Sequence, residues 1–373
     1  MTQSEQIRAI REEYTGLRDL PRRSLASSIK TLADDLYTKD THFIFELIQN
    51  AEDNDYQAKK CPNLRFEVCQ QEIMGRTETI LAVHNNEVGF QEKHVRAICQ
   101  VGQSTKSKAQ GYIGEKGIGF KSVFRITSSP YVFSNGFQFC LPEKDEETEL
   151  GYIVPKWVEN GPTSLSANET TIILPLNKNK KDIQSVSKAL REIAPETILF
   201  LQKLTSLEIS IQLQDAEYQV IAEKRVIRQS GASQLIELSY MQCGSEVDED
   251  VVATSSYWLT EQEFNKPADI QHEKRDGIET RIVSVAIPLN QQNHEGKLFA
   301  YLPVWEQTGL PFLINADFLL VSSREGIRED EEWNHWLRDC VTETYTTAFL
   351  SLLFDKQLSL EIGYPDSSRR DFI

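Results

Sequence analysis

Apolar and polar residues alternate at helical spacing through the first third of the chain. The opening segment is amphipathic, a second helical pattern covers Ser24 to Leu36, and a third begins after the break at Lys39 to Thr41. In the third segment, Phe43 and the apolar residues one, four and five positions later share one face. The pattern therefore predicts three helices before the first strand, the third of them packed on a core.

Four strand patterns follow in the N-terminal half, each rich in β-branched and aromatic residues. They cover Leu64 to Gln70, Thr79 to His84, Tyr131 to Cys140 and Thr170 to Leu176. Short helices are expected from Glu92 to Gln100 and from Ile118 to about Ile126, the second opened by the Gly, Ser and Lys-rich stretch 102–119. The acidic run KDEETE, residues 144–149, is predicted to be a solvated loop.

The second half of the chain favours strands and then a helix. Strand patterns cover Ser206 to Leu213, Tyr218 to Ile227, Arg281 to Pro288, Lys297 to Leu302 and Phe312 to Leu320. The helix carries an apolar stripe that we interpret as core packing rather than as a cofactor site. The stripe consists of Trp333, Trp336, Leu337, Cys340 and Val341. The polar run NKNKKD, residues 177–182, marks a boundary between domains 1–185 and 186–373.

The composition is that of a soluble protein of two or three domains, with 373 residues of which 40% are hydrophobic and 26% charged. Acidic residues outnumber basic ones by 56 to 40, and the net charge of −16 opposes binding to nucleic acid or anionic lipid. The six cysteines form no CxxC pair, which favours free buried thiols over zinc or redox chemistry. Neither a signal peptide nor a membrane span is indicated, so we expect an intracellular protein, cytoplasmic or nuclear.

Candidate chemistry begins in the segment FIFELIQNAEDNDY, residues 43–56. Glu46, Asn50 and Asp53 stand at i, i+4 and i+7, so an acid, an amide and an acid share one face of the predicted helix. Apolar residues between them would hold this polar stripe against a core, with its head groups toward a cleft. A solvated helix face gives the same pattern, so the stripe by itself leaves both interpretations open.

A second candidate is the glycine cluster in GYIGEKGIGFKSVFRI, residues 111–126. Gly114, Gly117 and Gly119 allow the backbone to approach phosphate oxygens, and Lys116 adds positive charge. The cluster is neither a Walker P-loop nor a Rossmann fingerprint, because its glycine spacing fits neither motif. A flexible loop before a helix is the alternative.

Taken together and in this order, these segments resemble the GHKL ATPase superfamily, which includes gyrase B, the ninety-kilodalton heat-shock chaperone, histidine kinases and the MutL proteins. More closely, they resemble the branch that contains sacsin and NO VEIN. The matching segments are ELIQNAED (46–53), HNNEVGF (84–90), VGQSTKSK (101–108), GEKGIGFKSVF (114–124) and NETTIILPL (168–176). The similarity continues through TGLPFLINADFLLVSSREGI, residues 308–327.

The resemblance implies an α+β fold: a Bergerat-type α/β sandwich ATPase domain with a mixed sheet, followed by a second α/β domain. It implies that Glu46 orients and deprotonates a water, and that the Asn50 carbonyl coordinates magnesium on the triphosphate. Asp53 would support the nucleotide site, and Thr170 would complete the adenine pocket. ATP and magnesium are thus the implied ligands.

Further site residues follow from the same resemblance. Arg324 is compared with the arginine that a second domain offers to the terminal phosphate, although it also has acidic neighbours with which it could pair. The lid, QSTKSKAQG at residues 103–111, would close over phosphates. Nucleotide contacts are implied for Gly89, Ser104, Thr105, Lys106, Gly114, Lys116, Gly117, Ile118, Gly119 and Phe120.

The chain departs from the superfamily at the adenine-binding motif. Where the chaperones and gyrase carry Asp-x-Gly-x-Gly, this chain has Asn85 first and Glu87 third, ahead of Gly89. Asn85 keeps a carbonyl acceptor but loses the charge that strengthens a hydrogen bond. We interpret the change as a family variant rather than as loss of the site.

The sequence therefore predicts a magnesium-dependent ATPase of slow turnover, whose lid closure couples nucleotide state to the second domain in a chaperone-like or switch-like role. The alternative is a nucleotide-dependent scaffold or sensor with little or no turnover. A histidine kinase is disfavoured because the six histidines are scattered in unlike contexts. An unidentified protein client and a nucleotide-dependent homodimer are the implied partners, and the chain could be part of a longer protein.

Overall fold

The computed structural model describes residues 1–35, 42–73, 75–100, 119–159, 161–162, 165–166, 168–176, 180–215, 218–231, 234–244, 250–289, 295–321 and 326–354. By its contacts the chain divides into two compact units. Unit 1 comprises Met1–Ala194, Gln202–Val226 and Tyr240–Val252, and unit 2 comprises Pro195–Leu201, Ile227–Ser239 and Ala253–Ile373. The domain boundary at residue 185 stays a prediction.

The described residues form helices and strands in a mixed α/β arrangement, which confirms the α+β class. The α-helices are α1 (Gln3–Thr15), α2 (Asp19–Asp35), α3 (His42–Glu52), α4 (Glu92–Cys99), α5 (Lys180–Arg191) and α6 (Glu332–Phe354). Short 3₁₀ helices span Gly119–Arg125, Pro195–Ile198 and Glu273–Arg275.

The strands alternate with these helices along the chain. They are β1 (Asn63–Ile73), β2 (Arg76–Asn85), β3 (Tyr131–Ser134), β4 (Phe137–Cys140), β5 (Lys156–Trp157), β6 (Thr170–Pro175), β7 (Ser206–Asp215), β8 (Tyr218–Ser230), β9 (Leu235–Gly244), β10 (Val251–Asn265), β11 (Thr280–Pro288), β12 (Lys297–Ala300), β13 (Leu302–Gln307) and β14 (Leu313–Asn315).

In unit 1 the strands are ordered β7-β1-β2-β6-β3-β4-β5. β1 pairs parallel with β7, and the other pairs in this series are antiparallel, so the sheet is mixed as predicted. In the register of β2 and β6, Asn85 lies opposite Thr170 and His84 lies opposite Thr171. Paired residues of antiparallel strands point to the same side of the sheet. The register therefore puts Asn85 and Thr170 on one face, and His84 and Thr171 on the other.

α3 buries the apolar face that its sequence predicts. Phe43, Ile44, Leu47 and Ile48 are at most 4% exposed. Because these residues share one side of the helix, the positions between them remain available for polar side chains. This packing fixes the direction in which the polar stripe of α3 points.

The segment predicted as one strand from Tyr131 to Cys140 is instead a hairpin of β3 and β4. Asn135 and Gly136 form its two-residue turn, with φ of 47° and 81°. Positive φ at both positions is typical of a type I′ turn, and Asn-Gly is its preferred sequence. The single-strand prediction was wrong because it passed over this turn signal.

The acidic loop at 144–149 is only partly solvated. Asp145 is buried, with its Oδ2 2.9 Å from Arg11 Nη1, and it accepts hydrogen bonds from the backbone N–H and hydroxyl of Thr148. The charged residues at 144, 146, 147 and 149 are exposed. The solvated-loop prediction was therefore wrong for Asp145 and Thr148.

In unit 2 the strands are ordered β13-β12-β14-β11-β10, and α6 packs on this sheet. Trp333, Leu337, Cys340 and Val341 of α6 lie in the core, which confirms the core-packing interpretation of the stripe. The long strand predicted at Phe312 to Leu320 is shorter, because only Leu313–Asn315 pairs as β14.

A buried ion-pair cluster follows β14. Asp317 is 1% exposed, and its Oδ2 lies 2.9 Å from Arg275 Nε and 2.8 Å from Arg281 Nε. Arg275 Nη2 also donates to Asp317 Oδ1 at 2.9 Å. The Asp317 carbonyl accepts the indole N–H of Trp333 at 2.8 Å, so the cluster joins this segment to α6.

The six cysteines are free thiols, as predicted. Cys99, Cys140 and Cys340 are buried, whereas Cys61 is exposed, so the prediction of burial was wrong for Cys61. Within the ranges given above, no helix is both long and apolar enough to cross a membrane.

Candidate functional site

The polar stripe of α3 runs from its second turn to just past its last residue. Glu46 and Asn50 are half-buried, and Asp53, just past the helix end, is 4% exposed. The Asp53 backbone N–H donates to the Gln49 carbonyl at 3.0 Å, which continues the last helical turn. The carboxylate and the amide predicted to act together are therefore both partly accessible on one face of one rigid helix.

Gly119, the last glycine of the predicted phosphate-binding cluster, meets the Glu46 carboxylate. A Cβ placed on Gly119 would overlap Glu46 Oε2, so any other residue here would require the Glu46 carboxylate to move. The Ser122 hydroxyl donates to the Gly119 carbonyl at 2.6 Å, which fixes the start of the 3₁₀ helix Gly119–Arg125. The structure thus brings the glycine box and the predicted general base together.

Lys121 joins the residues that flank the segment 101–118. It is 5% exposed, and its ammonium donates to the carbonyls of Ile98 at 2.5 Å and Tyr152 at 2.6 Å. Burial lowers the pKa of Lys121 to about 8. The Tyr14 hydroxyl donates to the Cys99 carbonyl at 2.7 Å. The end of α4 and the start of the 3₁₀ helix are therefore held side by side.

Several predicted site residues lie outside the described residues, and their roles stay predictions. They are Ser104, Thr105, Lys106, Gly114, Lys116, Gly117, Ile118 and Arg324. Phe120 is described and half-buried.

Asn85, the predicted adenine acceptor, is built into a structural network. Its amide donates to the Tyr56 hydroxyl and to the Asn63 carbonyl, both at 2.8 Å, and its Oδ1 accepts from Asn54 Nδ2 at 3.0 Å. The Tyr56 hydroxyl in turn donates to the Ala51 carbonyl at 2.6 Å. Both amide hydrogens and one oxygen lone pair of Asn85 thus tie the end of β2 to the end of α3.

Thr170 lies in a chain of hydrogen bonds that ends on Glu87. The Thr170 hydroxyl donates to Glu87 Oε1 at 2.6 Å, and Ser134 Oγ lies 2.5 Å from Thr170 Oγ1. Ser134 Oγ accepts the backbone N–H of Phe90 at 2.8 Å. Gly89, with φ of 92°, packs on the hairpin turn, where an added Cβ would come 2.7 Å from the Cβ of Asn135. The turn of β3 and β4 therefore supports the predicted adenine pocket.

Two carboxylates of this region that were not among the predicted site residues are buried. Glu87 is 5% exposed and Glu52 is 4% exposed. Glu52 accepts the backbone N–H groups of three consecutive residues, Gln202, Lys203 and Leu204, at 2.7 to 2.9 Å. Burial raises the pKa of Glu52, although the three N–H groups act to lower it. No local signal marks either residue, because charged residues are ordinarily exposed.

A charged cluster occupies the opposite face of the sheet. His84 is 7% exposed, with Nε2 3.6 Å from Glu67 Oε2, Nδ1 3.5 Å from Glu169 Oε1, and Nδ1 3.0 Å from the Thr171 hydroxyl oxygen. Burial acts to lower the pKa of His84, but the two carboxylates outweigh it and the net shift is upward. The pKa values of Glu67 and Glu169 are lowered, chiefly by hydrogen bonding to His84.

This cluster predicts a pH dependence of stability. Because its pKa is raised on folding, the stabilisation from protonated His84 is complete below pH 6.5 and is lost as the pH rises through the folded-state pKa. In an NMR titration, the ring of His84 should titrate above 6.5. In His84→Gln, denaturant unfolding should show a weaker loss of stability over that pH window. A midpoint below 6.5, or identical pH profiles of the two proteins, would contradict the assignment.

The residues present fit a nucleotide with magnesium. Asn50 offers a neutral oxygen and Glu46 an anionic one, which are the ligand types that magnesium and a reacting water require. Gly119 leaves the space beside Glu46 without a side chain of its own.

The chain is similar in sequence to known proteins. The sacsin domain family matches residues 22–147. NO VEIN of Arabidopsis thaliana is 33% identical over 338 aligned residues, which cover 84% of this chain and 11% of that protein. Sacsin of Homo sapiens is 22% identical over 409 aligned residues, which cover 89% of this chain and 9% of that protein. The chain thus spans about a tenth of the length of these two relatives.

Among solved structures, the B subunit of the DNA gyrase from Myxococcus xanthus matches with a TM-score of 0.38 and 9% identity, over 84% of this chain and 89% of that chain. The chain therefore carries a sacsin domain and is related over most of its own length to NO VEIN and sacsin.

Proposed function

We propose that unit 1 binds ATP with magnesium and hydrolyses it slowly to ADP and phosphate. The observation that carries this proposal is the contact between the Gly119 backbone and the Glu46 carboxylate, on the α3 stripe that also carries Asn50. Three features that phosphate chemistry needs are then present: a close backbone approach, a neutral oxygen ligand and a carboxylate base.

In this proposal each residue has a distinct task. Glu46 orients a water molecule and accepts its proton, and the half-buried position of the side chain leaves its head group accessible. Asn50 contributes its amide oxygen to the magnesium–phosphate unit, and Gly119 excludes side-chain bulk from the space beside Glu46. Magnesium, when bound, neutralises charge on the phosphate oxygens.

Lys121 contributes indirectly to the same site. By binding the carbonyl of Ile98, it holds the end of α4 against the 3₁₀ helix that starts at Gly119. The residues on either side of the segment 101–118, for which nucleotide contacts are proposed, are thereby held together. In its chaperone-like or switch-like form, the proposed function also includes coupling to the second domain, a protein client and nucleotide-dependent pairing of two chains.

The first test is Asn50→Ala, followed by isothermal titration with Mg-ATP. Loss of the amide oxygen should weaken Mg-ATP binding by about 10- to 100-fold, as expected for one charge-assisted contact. Gln57→Ala, which removes an exposed amide shortly after α3, is the matched control and should bind as the parent does. Equal affinity in Asn50→Ala and the parent would exclude the metal-binding role of Asn50.

Release of phosphate separates this function from the alternative. A nucleotide-dependent scaffold would bind Mg-ATP with the same dependence on Asn50 but would leave it intact over hours. Turnover requires Glu46 as well.

A further inference from the structure

The most unusual buried group near the proposed nucleotide site is the carboxylate of Glu87. It is 5% exposed and stands two residues after Asn85, at the position where the superfamily motif has its first glycine. A buried carboxylate is costly unless hydrogen bonds hold it, so its surroundings indicate what it is placed to do.

The hydrogen bonds around Glu87 have a fixed direction. A carboxylate can only accept, so the single hydroxyl hydrogen of Thr170 points to Glu87 Oε1. Thr170 must then accept from Ser134, whose oxygen accepts the N–H of Phe90. The chain runs one way, from a backbone amide through two hydroxyls to the carboxylate. It directs the hydroxyl hydrogen of Ser134 to Thr170 and that of Thr170 to Glu87, and it holds the carboxylate in place as an acceptor.

Asn85 is positioned differently, although it lies on the same face of the sheet as Thr170. Both of its amide hydrogens and one lone pair of its oxygen are used within the loop that joins α3 to β1. Breaking these bonds to serve a ligand would separate the end of β2 from the end of α3. Asn85 therefore acts as a structural link at this position.

Glu87 also lies close to the network of Asn85. Its negative charge, together with that of Glu52, contributes to the raised pKa of the Tyr56 hydroxyl, after burial as the main cause. Tyr56 accepts a hydrogen bond from Asn85 at 2.8 Å. The hydrogen bond from Thr170 places the carboxylate beside the residue that the family resemblance assigns to the adenine pocket.

Resting on that proposed function, we infer that Glu87 is a specificity-determining residue whose carboxylate accepts an N–H of the exocyclic amine of the bound base. Glu87, at the third position of the motif, supplies the negative charge that Asn85 lacks at the first position. A ligand that carries an amino group at this point of its base is selected, and a base without that group is bound more weakly. Thr170 and Ser134 serve as positioning residues for the carboxylate.

The test compares Mg-ATP with the magnesium complex of purine ribonucleoside triphosphate, which lacks the amino group, in the parent and in Glu87→Gln. Glutamine keeps the size of the side chain and an oxygen that accepts from Thr170, but it removes the charge. We expect the parent to bind ATP at least about tenfold more tightly than the purine analogue, because a hydrogen bond to a charged group is lost with the amine. In Glu87→Gln the two ligands should bind within about threefold of each other.

The measured quantity is the ratio of the two affinities in one protein. A variant that binds both ligands equally more weakly would keep this ratio, so a general loss of binding would not be mistaken for a change in specificity. Glu72→Gln makes the same change at an exposed position of β1 and should keep the ratio of the parent. An unchanged ratio in Glu87→Gln, with tight Mg-ATP binding in the parent, would overturn the inference and leave the proposed function standing. A parent that binds neither ligand would overturn both.

Discussion

Replacing Glu46 by Gln should lower the rate of phosphate release from Mg-ATP by about 10²- to 10⁴-fold, the range associated with loss of a general base. Glutamine preserves the size of the side chain and its contact with Gly119, but it cannot take a proton from water. Binding of Mg-ATP should stay within about threefold of the parent. Phosphate release under saturating Mg-ATP and isothermal titration measure the two quantities separately.

The matched control is Asp55→Asn, which removes one exposed carboxylate shortly after the end of α3. Its rate and affinity should both equal those of the parent. If Glu46→Gln releases phosphate as fast as Asp55→Asn, then Glu46 is not the base. If the parent itself binds Mg-ATP without releasing phosphate, unit 1 is a nucleotide-dependent scaffold.

Replacing Asp317 by Ala should lower the free energy of unfolding by about 3–5 kcal/mol, the cost of leaving buried charges without their partner. The change removes the carboxylate that lies within 2.9 Å of both Arg275 and Arg281. The Arg275 side chain is only 2% exposed, so water cannot replace the lost partner without rearrangement. Denaturant unfolding followed by tryptophan fluorescence is suited to the measurement, because Trp333 contacts the same cluster.

Asp339→Ala provides the comparison, since Asp339 pairs with Arg338 at 3.2 Å in the same unit but both side chains are more than two-thirds exposed. Exposed ion pairs contribute about 0–1 kcal/mol, so this variant should unfold close to the parent. Equal unfolding midpoints for the two variants would mean that the buried cluster contributes no more than a surface pair.

Local periodicity was enough to predict the elements that carry the site. The apolar spacing from Phe43 predicted α3, and with it the shared face of Glu46 and Asn50, because helix geometry fixes which residues are neighbours. The hairpin of β3 and β4 was missed although its Asn135-Gly136 turn is visible in the sequence. The burial of Asp145 was missed for another reason, since its partner Arg11 lies far away along the chain.

The hydrogen-bond partners of Asn85 and Glu87 could not be read from the motif. Asn85 was predicted as the acceptor because it occupies the first motif position, whereas the structure engages it with Asn54, Tyr56 and Asn63. Glu87 reads as an ordinary surface residue until β2, β3 and β6 bring Ser134 and Thr170 beside it. The hydrogen-bond partners of Asn85 and Glu87 are therefore set by strand pairing rather than by motif position.

The sequence by itself determined the lineage, the α+β class and the residue types of the site, because ordered motifs and local spacing need no long-range information. It also determined an acidic chain in which lysines concentrate around the glycine box. Only the tertiary structure decided that Gly119 meets Glu46, that Lys121 joins Ile98 to the 3₁₀ helix, and that Glu87 receives a directed chain of hydrogen bonds. Each of these contacts depends on segments that are distant in the chain, and strand register and helix packing alone set their distances and directions.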